Sequence, residues 1–288
     1  MSVSKSFIES YKKLIIIPVI ITLISLSLIA FNGIDEGIDL KGGTIAEIET
    51  NSSTVQIHSQ LSNALGDDNI NVMGSENNNR MTVEMGSNVN NSAFVSALGG
   101  EGRVVSFNSI GPVLSEEAMS QVYWALLFAF IFMAVTIFIV FREPVPSIAV
   151  ILAALCDIII ALGGMSLFKI PLNIASVGAL LMLIGYSVDT DILLTTRLLK
   201  RYDGDVGDRA LGAMKTGLTM SLCAISAMIV LYVVTVVLMP AANTLLYISS
   251  VLIMGLCADI ITTWCMNLGI LRIYMERKEW IGRRLLSF

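Results

Sequence analysis

Six long apolar runs dominate the pattern of the chain. They are Leu14–Phe31, Val122–Phe141, Ser147–Phe168, Ile174–Leu194, Thr216–Met239 and Leu245–Ile270. Each run has the roughly 20 residues that an α-helix needs to cross a hydrocarbon core about 30 Å thick. The pattern therefore predicts an α-helical polytopic membrane protein with six transmembrane helices.

The segment between the first two runs, residues 32–121, has a different pattern of short apolar stretches and polar turns. Period-two alternation predicts strands, and a helical stripe after Ser52 and Ser53 predicts a capped helix. The predicted elements are a strand at Thr44–Thr50, a helix at Thr54–Leu65, strands at Ile70–Met73 and Met81–Met85, a helix at Ser92–Leu98 and a strand at Arg103–Phe107. The order β-α-β-β-α-β predicts one external α+β ferredoxin-like domain.

Composition agrees with this division. The 288 residues are 55% hydrophobic and 14% charged, whereas soluble domains carry about 25% charged residues. The first apolar run is long for the core of a signal peptide and lacks a clear A-x-A cleavage site, which favours a retained helix. We expect four parts: residues 1–31 as the cytoplasmic N-terminus and first helix, 32–121 as the external domain, 122–271 as a five-helix bundle, and 272–288 as a basic tail.

The distribution of basic residues predicts the orientation. All but four of the 18 Lys and Arg residues lie before the first run, near the turns after the second and fourth runs, or in the tail. The exceptions are Lys41, Arg80, Arg103 and Lys169. The positive-inside rule then puts both termini in the cytoplasm and residues 32–121 outside. The net charge of −5 comes largely from that outer segment, so we expect no nucleic-acid partner.

Four carboxylates lie inside the apolar runs: Asp157, Asp189, Asp191 and Asp259. A charged group in hydrocarbon is costly, so such residues mark an ion path or a polar contact between helices. Small residues recur at helical spacing beside three of them. Asp157 shares a face with Ala153, Ala154, Ala161 and Gly164, and Asp189 with Ala175, Gly178 and Gly185. Asp259 lies beside Gly255, Thr262 and Thr263. Such faces are typical of close helix contacts, so we expect these acids to point into the bundle.

The depth of the acids predicts that three of them share one site. At about 1.5 Å of rise per residue, Asp157 and Asp259 fall near the midplane, and Asp189 lies toward the inner half. We therefore expect Asp157, Asp189 and Asp259 to share one hydrated cavity. Asp191 is roughly 200° around the helix from Asp189, so both cannot face that cavity. Proton or ion coupling and inert hydrogen-bonded acids both remain open, and Arg197 is a candidate ion-pair partner.

Three short motifs resemble the SecD/SecF family of protein-export membrane proteins, which is related to the RND transporter superfamily. Gly37–Thr44 (GIDLKGGT) resembles the family's G-[IL]-D-x-x-G-G-T motif. Leu155–Ile159 (LCDII) resembles an L-x-H-D-[VI] stretch, with Cys156 where histidine is usual. Ile184–Val188 (IGYSV) resembles the I-G-Y-S-[IV] motif, which Arg197 closes. The VDTD sequence around Asp189 and Asp191, together with Asp259, is similar to the archaeal SecF-type members.

The resemblance implies an auxiliary, non-enzymatic subunit of the Sec machinery in the plasma membrane. Its implied partners are SecD, a SecY-containing translocon, the translocating polypeptide and the lipid bilayer. It also implies that the ion gradient drives export, a role that alignment carries over to Asp189, and Asp157 and Arg197 lie in the matching motifs. Asp191 and Asp259 are added to this role only because we expect them to be buried. The loop carrying Asp39, Gly42, Gly43 and Thr44 is implied to couple the first helix to the external domain.

Three other functions fit parts of the pattern. An RND-type exporter of small molecules or lipids would share the acids, but one head of about 90 residues is small for it. A passive scaffold for SecD would need no titrating acid. An intramembrane aspartyl protease would use two facing acids, yet the G-x-G-D signature is absent from the apolar runs. We expect no metal or cofactor, since the four cysteines lie within the runs and form no C-x-x-C pattern.

Overall fold

The computed structural model describes residues 14–67, 69–75, 79–200, 206–239 and 242–285. The predicted cytoplasmic segment 1–13, the middle of the charged loop at 201–205 and the last residues 286–288 lie outside the described residues. So do the side chains of the basic tail from Lys278 onward.

Helices and strands alternate in the first third of the chain, and long helices form the rest. The elements are α1 (Ile16–Asn32), α2 (Ile38–Lys41), β1 (Gly43–Glu49), α3 (Thr54–Leu65), β2 (Ile70–Ser75), β3 (Arg80–Met85), α4 (Asn91–Ala97), β4 (Arg103–Ile110), α5 (Pro112–Phe141), α6 (Pro144–Phe168), α7 (Ile174–Lys200), α8 (Val206–Leu238), α9 (Asn243–Ile261), a π-helical turn (Thr262–Asn267) and α10 (Leu268–Leu285).

Five helical segments are long and apolar enough to cross a membrane. They are Pro112–Phe141, Pro144–Phe168, Ile174–Lys200, Val206–Leu238 and Asn243–Arg277. The first predicted span corresponds to α1, an apolar helix of 17 residues. The second predicted span is longer than expected, because α5 begins at Pro112. The membrane part of the chain is thus mainly helical, as predicted.

The small domain after α1 contains a four-stranded antiparallel sheet in the order β2-β3-β1-β4. Its six elements agree with the predicted ones to within three residues. Helix α3 begins where Ser53 and Gln56 form a capping box, which satisfies backbone donors at the helix start. Fully buried Ile48, Ile57 and Phe94 come from β1, α3 and α4, so the two helices cover one face of the sheet.

Helices α6, α7 and α9 form the best-buried part of the bundle. A cluster that includes Ala161, Leu180, Leu183 and Val251 joins the three helices. Gly255 lies against Leu183, so a Cβ at this position would collide with the leucine side chain. This close approach brings the polar residues of the three helices into contact.

Candidate functional site

Three fully buried carboxyl groups meet where α6, α7 and the end of α9 pack together. Asp157 comes from α6, Asp191 from α7 and Asp259 from α9, and each has 0% exposure. The small residues beside Asp157 are buried with it, as predicted, with Ala153 and Ala161 at 0% exposure. Close packing at small residues thus holds the acids away from the surface of the chain.

Asp157 accepts hydrogen bonds from two hydroxyl groups on the neighbouring helices. Ser187 Oγ on α7 donates to Oδ2 at 2.6 Å, and Thr262 Oγ1 in the π-helical turn donates to Oδ1 at 2.5 Å. Both oxygens of the carboxyl group are therefore partnered. These contacts tie α6 to α7 and to the π-helical turn.

Asp191 and Asp259 share a single hydroxyl group. Thr263 Oγ1 lies 2.9 Å from Oδ1 of Asp191 and 3.1 Å from Oδ1 of Asp259. Asn267 Nδ2 also donates to Oδ1 of Asp191 at 2.6 Å. Three further hydroxyls, those of Ser187, Thr190 and Ser221, lie close to Asp259. The acids are thus embedded in a network of neutral polar groups.

Neighbouring residues of the π-helical turn reach different acids. Thr262 faces Asp157 on α6, while Thr263 and Asn267 face Asp191 on α7. An i→i+5 turn widens the helix locally, and such turns occur frequently at functional sites. Gly217 on α8 makes room for the turn, because a Cβ there would collide with the ring of Trp264.

The three carboxyl groups of the site can carry negative charge, but no basic side chain of the described residues pairs with them. Within the described ranges no lysine or arginine forms an ion pair with Asp157, Asp191 or Asp259. Oδ2 of Asp191 and Oδ2 of Asp259 are buried without a hydrogen-bond partner among the same residues. Unpaired carboxylates are expensive to bury. The arrangement is therefore suited to taking up protons or another cation and releasing them.

Asp189 does not join the other acids, so the prediction that it shares their cavity is wrong. It lies on an exposed face of α7 with Gly178 and Gly185, where an added Cβ would meet no atom within 4 Å. The buried face of α7 instead carries Ser187, Asp191 and Thr195 at intervals of four residues. Small residues occur on both faces of α7, so they do not show which face is buried. The face that packs inside the chain is the one with the polar residues Ser187, Asp191 and Thr195.

Arg197 has a different partner from the predicted acid. Its Nη1 donates to the backbone carbonyl of Gly212, near the start of α8. This bond joins the C-terminal end of α7 to the next helix across the charged loop. Arg197 therefore contacts backbone and none of the three buried carboxyl groups.

Ser187 and Asn267 contact the acids but were not singled out from the sequence, whereas Thr262 and Thr263 were predicted on the face of Asp259 without an assigned partner. Their spacing carried a usable signal. In α9 and the π-helical turn, polar side chains recur at Asp259, Thr263 and Asn267, four residues apart, inside an otherwise apolar run. A stripe of this kind on one helix face indicates contact with a polar stripe on another helix.

The predicted junction motif lies between the sheet and the membrane helices. Short helix α2 inserts Leu40 between Val122 of α5 and Val177 of α7. Gly42 and Gly43 then turn the chain into β1 with φ angles of 86° and 141°. A Cβ on Gly43 would collide with the carbonyl oxygen of Met85 in β3, so a side chain does not fit there.

Thr44 anchors the other end of the motif within the small domain. Its Oγ1 donates to the backbone carbonyl of Ser87 at 3.0 Å and accepts from the backbone N–H of Val89 at 3.0 Å. On α2, half-buried Asp39 lies near Glu84 of β3. Burial, and then the charge of Asp39, raise the pKa of the Glu84 carboxyl. The motif thus contacts both the membrane helices and the sheet.

Comparison with known families finds two matches along the chain. Residues 91–277 match the family described as "Protein export membrane protein SecD/SecF, C-terminal". Residues 27–54 match the "SecD/SecF GG Motif", which includes Gly42 and Gly43. The larger match covers more than half of the chain.

Curated relatives and solved structures agree with this match. The chain is 58% identical to the protein-export membrane protein SecF of Methanothermobacter thermautotrophicus, covering 93% of this chain and 94% of the relative. It is 41% identical to SecF of Methanocaldococcus jannaschii, with coverages of 93% and 97%. The crystal structure of SecDF from Thermus thermophilus superposes with a TM-score of 0.74 at 15% identity, over 94% of this chain and 38% of that longer chain. These matches show that the chain belongs to the SecD/SecF family of protein-export membrane proteins.

Proposed function

We propose that this chain is an auxiliary Sec subunit that couples protein export to an ion gradient through Asp157, Asp191 and Asp259. The observation that carries the proposal is their burial at 0% exposure, with hydroxyl and amide partners and no cationic partner among the described residues. Family membership supports the export role. The change in charge of the three acids, when they bind or release an ion, links the gradient to export.

The physical reasoning starts from the cost of charge. An ionised carboxylate without a partner is strongly disfavoured in a low-dielectric interior, so each acid binds a proton or a cation readily. The partners of the acids sit on different helices: Ser187 on α7 and Thr262 in the π-helical turn both bond Asp157. Binding or release of an ion therefore changes contacts between helices. A gradient across the membrane then drives a cycle of helix positions.

The proposed topology has six membrane helices, with α1 as the first. Support comes from the packing of α1 on α6, where Gly163 lies against Ser25 and Ser166 Oγ donates to the carbonyl of Gly33 at 2.6 Å. The positive-inside pattern supports cytoplasmic termini. Residues 32–121 then form an external ferredoxin-like domain, consistent with the antiparallel β2-β3-β1-β4 order. Residues 122–271 form the five-helix bundle.

SecD is the proposed partner in the membrane. The exposed face of α7 carries Asp189 beside Met182, which is 46% exposed. A carboxylate facing lipid is costly, whereas a second helix bundle would cover it. The longer SecDF chain, of which this chain spans 38%, is consistent with a missing half. We propose that SecD covers this face and that the complex acts next to a SecY-containing translocon.

The junction motif is the proposed link between ion binding and the external domain. Leu40 contacts Val122 and Val177 in the membrane helices, while Thr44 is bonded to the sheet domain. Movement of α7 is thereby passed to the sheet through a segment of five residues. The domain would in turn act on the emerging polypeptide. No catalytic step is required of the acids in this scheme.

The proposal is tested by complementation in cells that lack the chain. Variants Asp157→Asn, Asp191→Asn and Asp259→Asn should each lose gradient-dependent secretion while still co-purifying with SecD. Asp67→Asn, on the surface of the small domain, is the matched control and should secrete normally. Normal secretion by all three buried variants would leave only a scaffolding role. Loss of SecD binding together with secretion would assign the acids to structure.

A further inference from the structure

Thr263 lies between two buried acids, and its single hydroxyl hydrogen cannot be donated to both of them. Its Oγ1 is 2.9 Å from Asp191 Oδ1 and 3.1 Å from Asp259 Oδ1. A threonine hydroxyl has one hydrogen to donate and two lone pairs that accept. Both contacts are therefore hydrogen bonds only if one carboxyl group holds a proton and donates it to Thr263.

The surroundings favour one proton shared by this pair. The two carboxyl oxygens lie within about 6 Å of each other, since each is about 3 Å from the same hydroxyl. Two ionised carboxylates at that separation repel strongly when buried. Asp191, Asp259 and Thr263 all have 0% exposure. A single proton removes this repulsion and completes both hydrogen bonds.

We infer that Thr263 is a positioning residue that relays one proton between Asp259 and Asp191. The inference rests on the proposed coupling function and deepens it, because it names the ion as H⁺ and gives one step of its path. It also assigns different tasks to the acids. Asp191 and Asp259 exchange the proton, whereas Asp157 is hydrogen-bonded to Ser187 and Thr262 and has no contact with Thr263.

The transfer balances in atoms and charge. The O–H bond of the protonated Asp259 carboxyl breaks as its proton forms a new bond to Thr263 Oγ1. In the same step the original Thr263 O–H bond breaks, and that proton bonds to Asp191 Oδ1. Asp259 becomes the carboxylate, Asp191 becomes the acid and Thr263 remains neutral. The reverse step follows the same atoms.

The polar and titratable side chains of the helices that surround the two acids are compatible with this relay. Helix α6 contributes Asp157, α7 contributes Asp191 and the hydroxyls of Ser187 and Thr190, and α8 contributes the hydroxyl of Ser221. Arg197 contacts the Gly212 carbonyl and Asp189 is exposed on the opposite side of α7. The Oδ2 atoms of Asp191 and Asp259, and Oδ1 of Asn267, have no partner among the described residues. The two carboxyl Oδ2 atoms are the points where a proton enters or leaves the pair, and the amide oxygen of Asn267 is an acceptor beside them.

The experiment uses the full chain in complex with SecD, reconstituted in lipid vesicles. A pH gradient is imposed, and proton uptake is measured for wild type, Thr263→Val, Thr263→Ser and Thr235→Val. Thr263→Val keeps the side-chain volume but removes the relay, so proton uptake should fall at least about tenfold. Thr263→Ser should recover uptake to within about twofold, because the hydroxyl is restored. Thr235, a buried threonine of α8 that bonds the Leu231 carbonyl, is the matched control.

Infrared spectroscopy of the same samples separates a relay from a structural role. At neutral pH the shared proton should give a protonated-carboxyl band that changes frequency in Asp191→Asn, in Asp259→Asn and in Thr263→Val, but not in Thr263→Ser. The spectra remain informative if Thr263→Val assembles poorly. The band can then be compared among wild type, Thr263→Ser and the two aspartate variants.

Each remaining outcome has a distinct meaning. Wild-type uptake by Thr263→Val, with loss of uptake in Asp191→Asn and Asp259→Asn, would overturn the relay and leave the proposed function standing. Uptake driven by a sodium gradient and not by a pH gradient would also overturn the relay. Retained uptake in both aspartate variants would overturn the proposed function itself.

Discussion

At the scale of single residues, exposure separates two aspartates that stand two positions apart. Asp191 has 0% exposure and is bonded to Thr263 and Asn267, whereas Asp189 lies on the open face of α7. The family motif directs attention to Asp189, but the contacts inside this chain favour Asp191 as the titrating group. The two residues therefore have different surroundings, one inside the bundle and one at its surface.

Glu84 provides a test of residue-scale electrostatics in the small domain. Burial and the nearby Asp39 charge raise its pKa above the ordinary value of 4.5. The folded protein then binds the Glu84 proton more tightly than the unfolded chain, so this residue lowers stability as pH rises above that value. Glu84→Gln should raise the unfolding temperature at about pH 8 and leave it unchanged at about pH 4.

Thermal unfolding of the purified protein in detergent measures this difference. Glu49→Gln, on the exposed end of β1, serves as the control for loss of one negative charge. Equal stabilisation by Glu84→Gln at both pH values would show that the Glu84 carboxyl is not protonated more readily in the folded state.

At the scale of elements, the junction motif depends on backbone geometry that only glycine fits. Gly43 has φ 141° and its missing Cβ leaves space for the Met85 carbonyl. Gly43 therefore joins helix α2 to β1 in a turn that packs directly against β3. In the proposed scheme this turn passes a small movement of the membrane helices to the sheet.

Gly43→Ala is expected to weaken this junction. The strained backbone and the collision with Met85 should cost about 1–3 kcal/mol of unfolding free energy. Gly86→Ala is the matched control, since Gly86 has only an ordinary 3.9 Å contact from its added Cβ to Asn69. Chemical denaturation of the two variants compares them. A Gly43→Ala variant as stable as Gly86→Ala would mean that the junction tolerates a side chain.

The sequence predicts most elements and only part of the site. Periodicity located the strands and helices of the small domain, because each buries one face against a common core that includes Ile57 and Phe94. Asp157 and Asp259 were predicted inside the bundle from the small residues beside them. The orientation of α7 was not predictable in the same way, since small residues occur on both of its faces. The π-helical turn also changes the helical spacing that such predictions assume.

At the scale of the whole molecule, the open face of α7 indicates an incomplete assembly. Gly178 and Gly185 leave space along this face, and Asp189 follows them toward the C-terminal end of α7. In a membrane such a surface would expose a carboxylate to lipid. The proposed SecD partner resolves this by covering the face with its own helices.

Photo-cross-linking tests the position of the partner. A photoreactive amino acid in place of Met182, on the open face, should form an adduct with SecD. The same amino acid in place of Ile139, which is 65% exposed on α5, should react mainly with lipid. Adducts from Ile139 and none from Met182 would place SecD on another side of the bundle.

Loss of the Asp189 charge should affect assembly rather than ion transfer. If the SecD helices supply a polar partner, Asp189→Asn should weaken co-purification with SecD several-fold, about 1 kcal/mol, because a charge-assisted contact is lost. Asp191→Asn should leave co-purification intact. An Asp189→Asn complex as stable as wild type would mean that no contact depends on that charge.

The most direct test of the account is export by reconstituted vesicles that contain the chain, SecD and the SecY translocon. A pH gradient is imposed after a polypeptide has partly crossed, and the rate of completion is measured with wild type and with the Asp157→Asn, Asp191→Asn, Asp259→Asn triple variant. We predict that the gradient accelerates completion in wild type and has no effect in the triple variant, with the complex intact in both. Equal acceleration in the two preparations would contradict the claim that these buried acids couple the gradient to export.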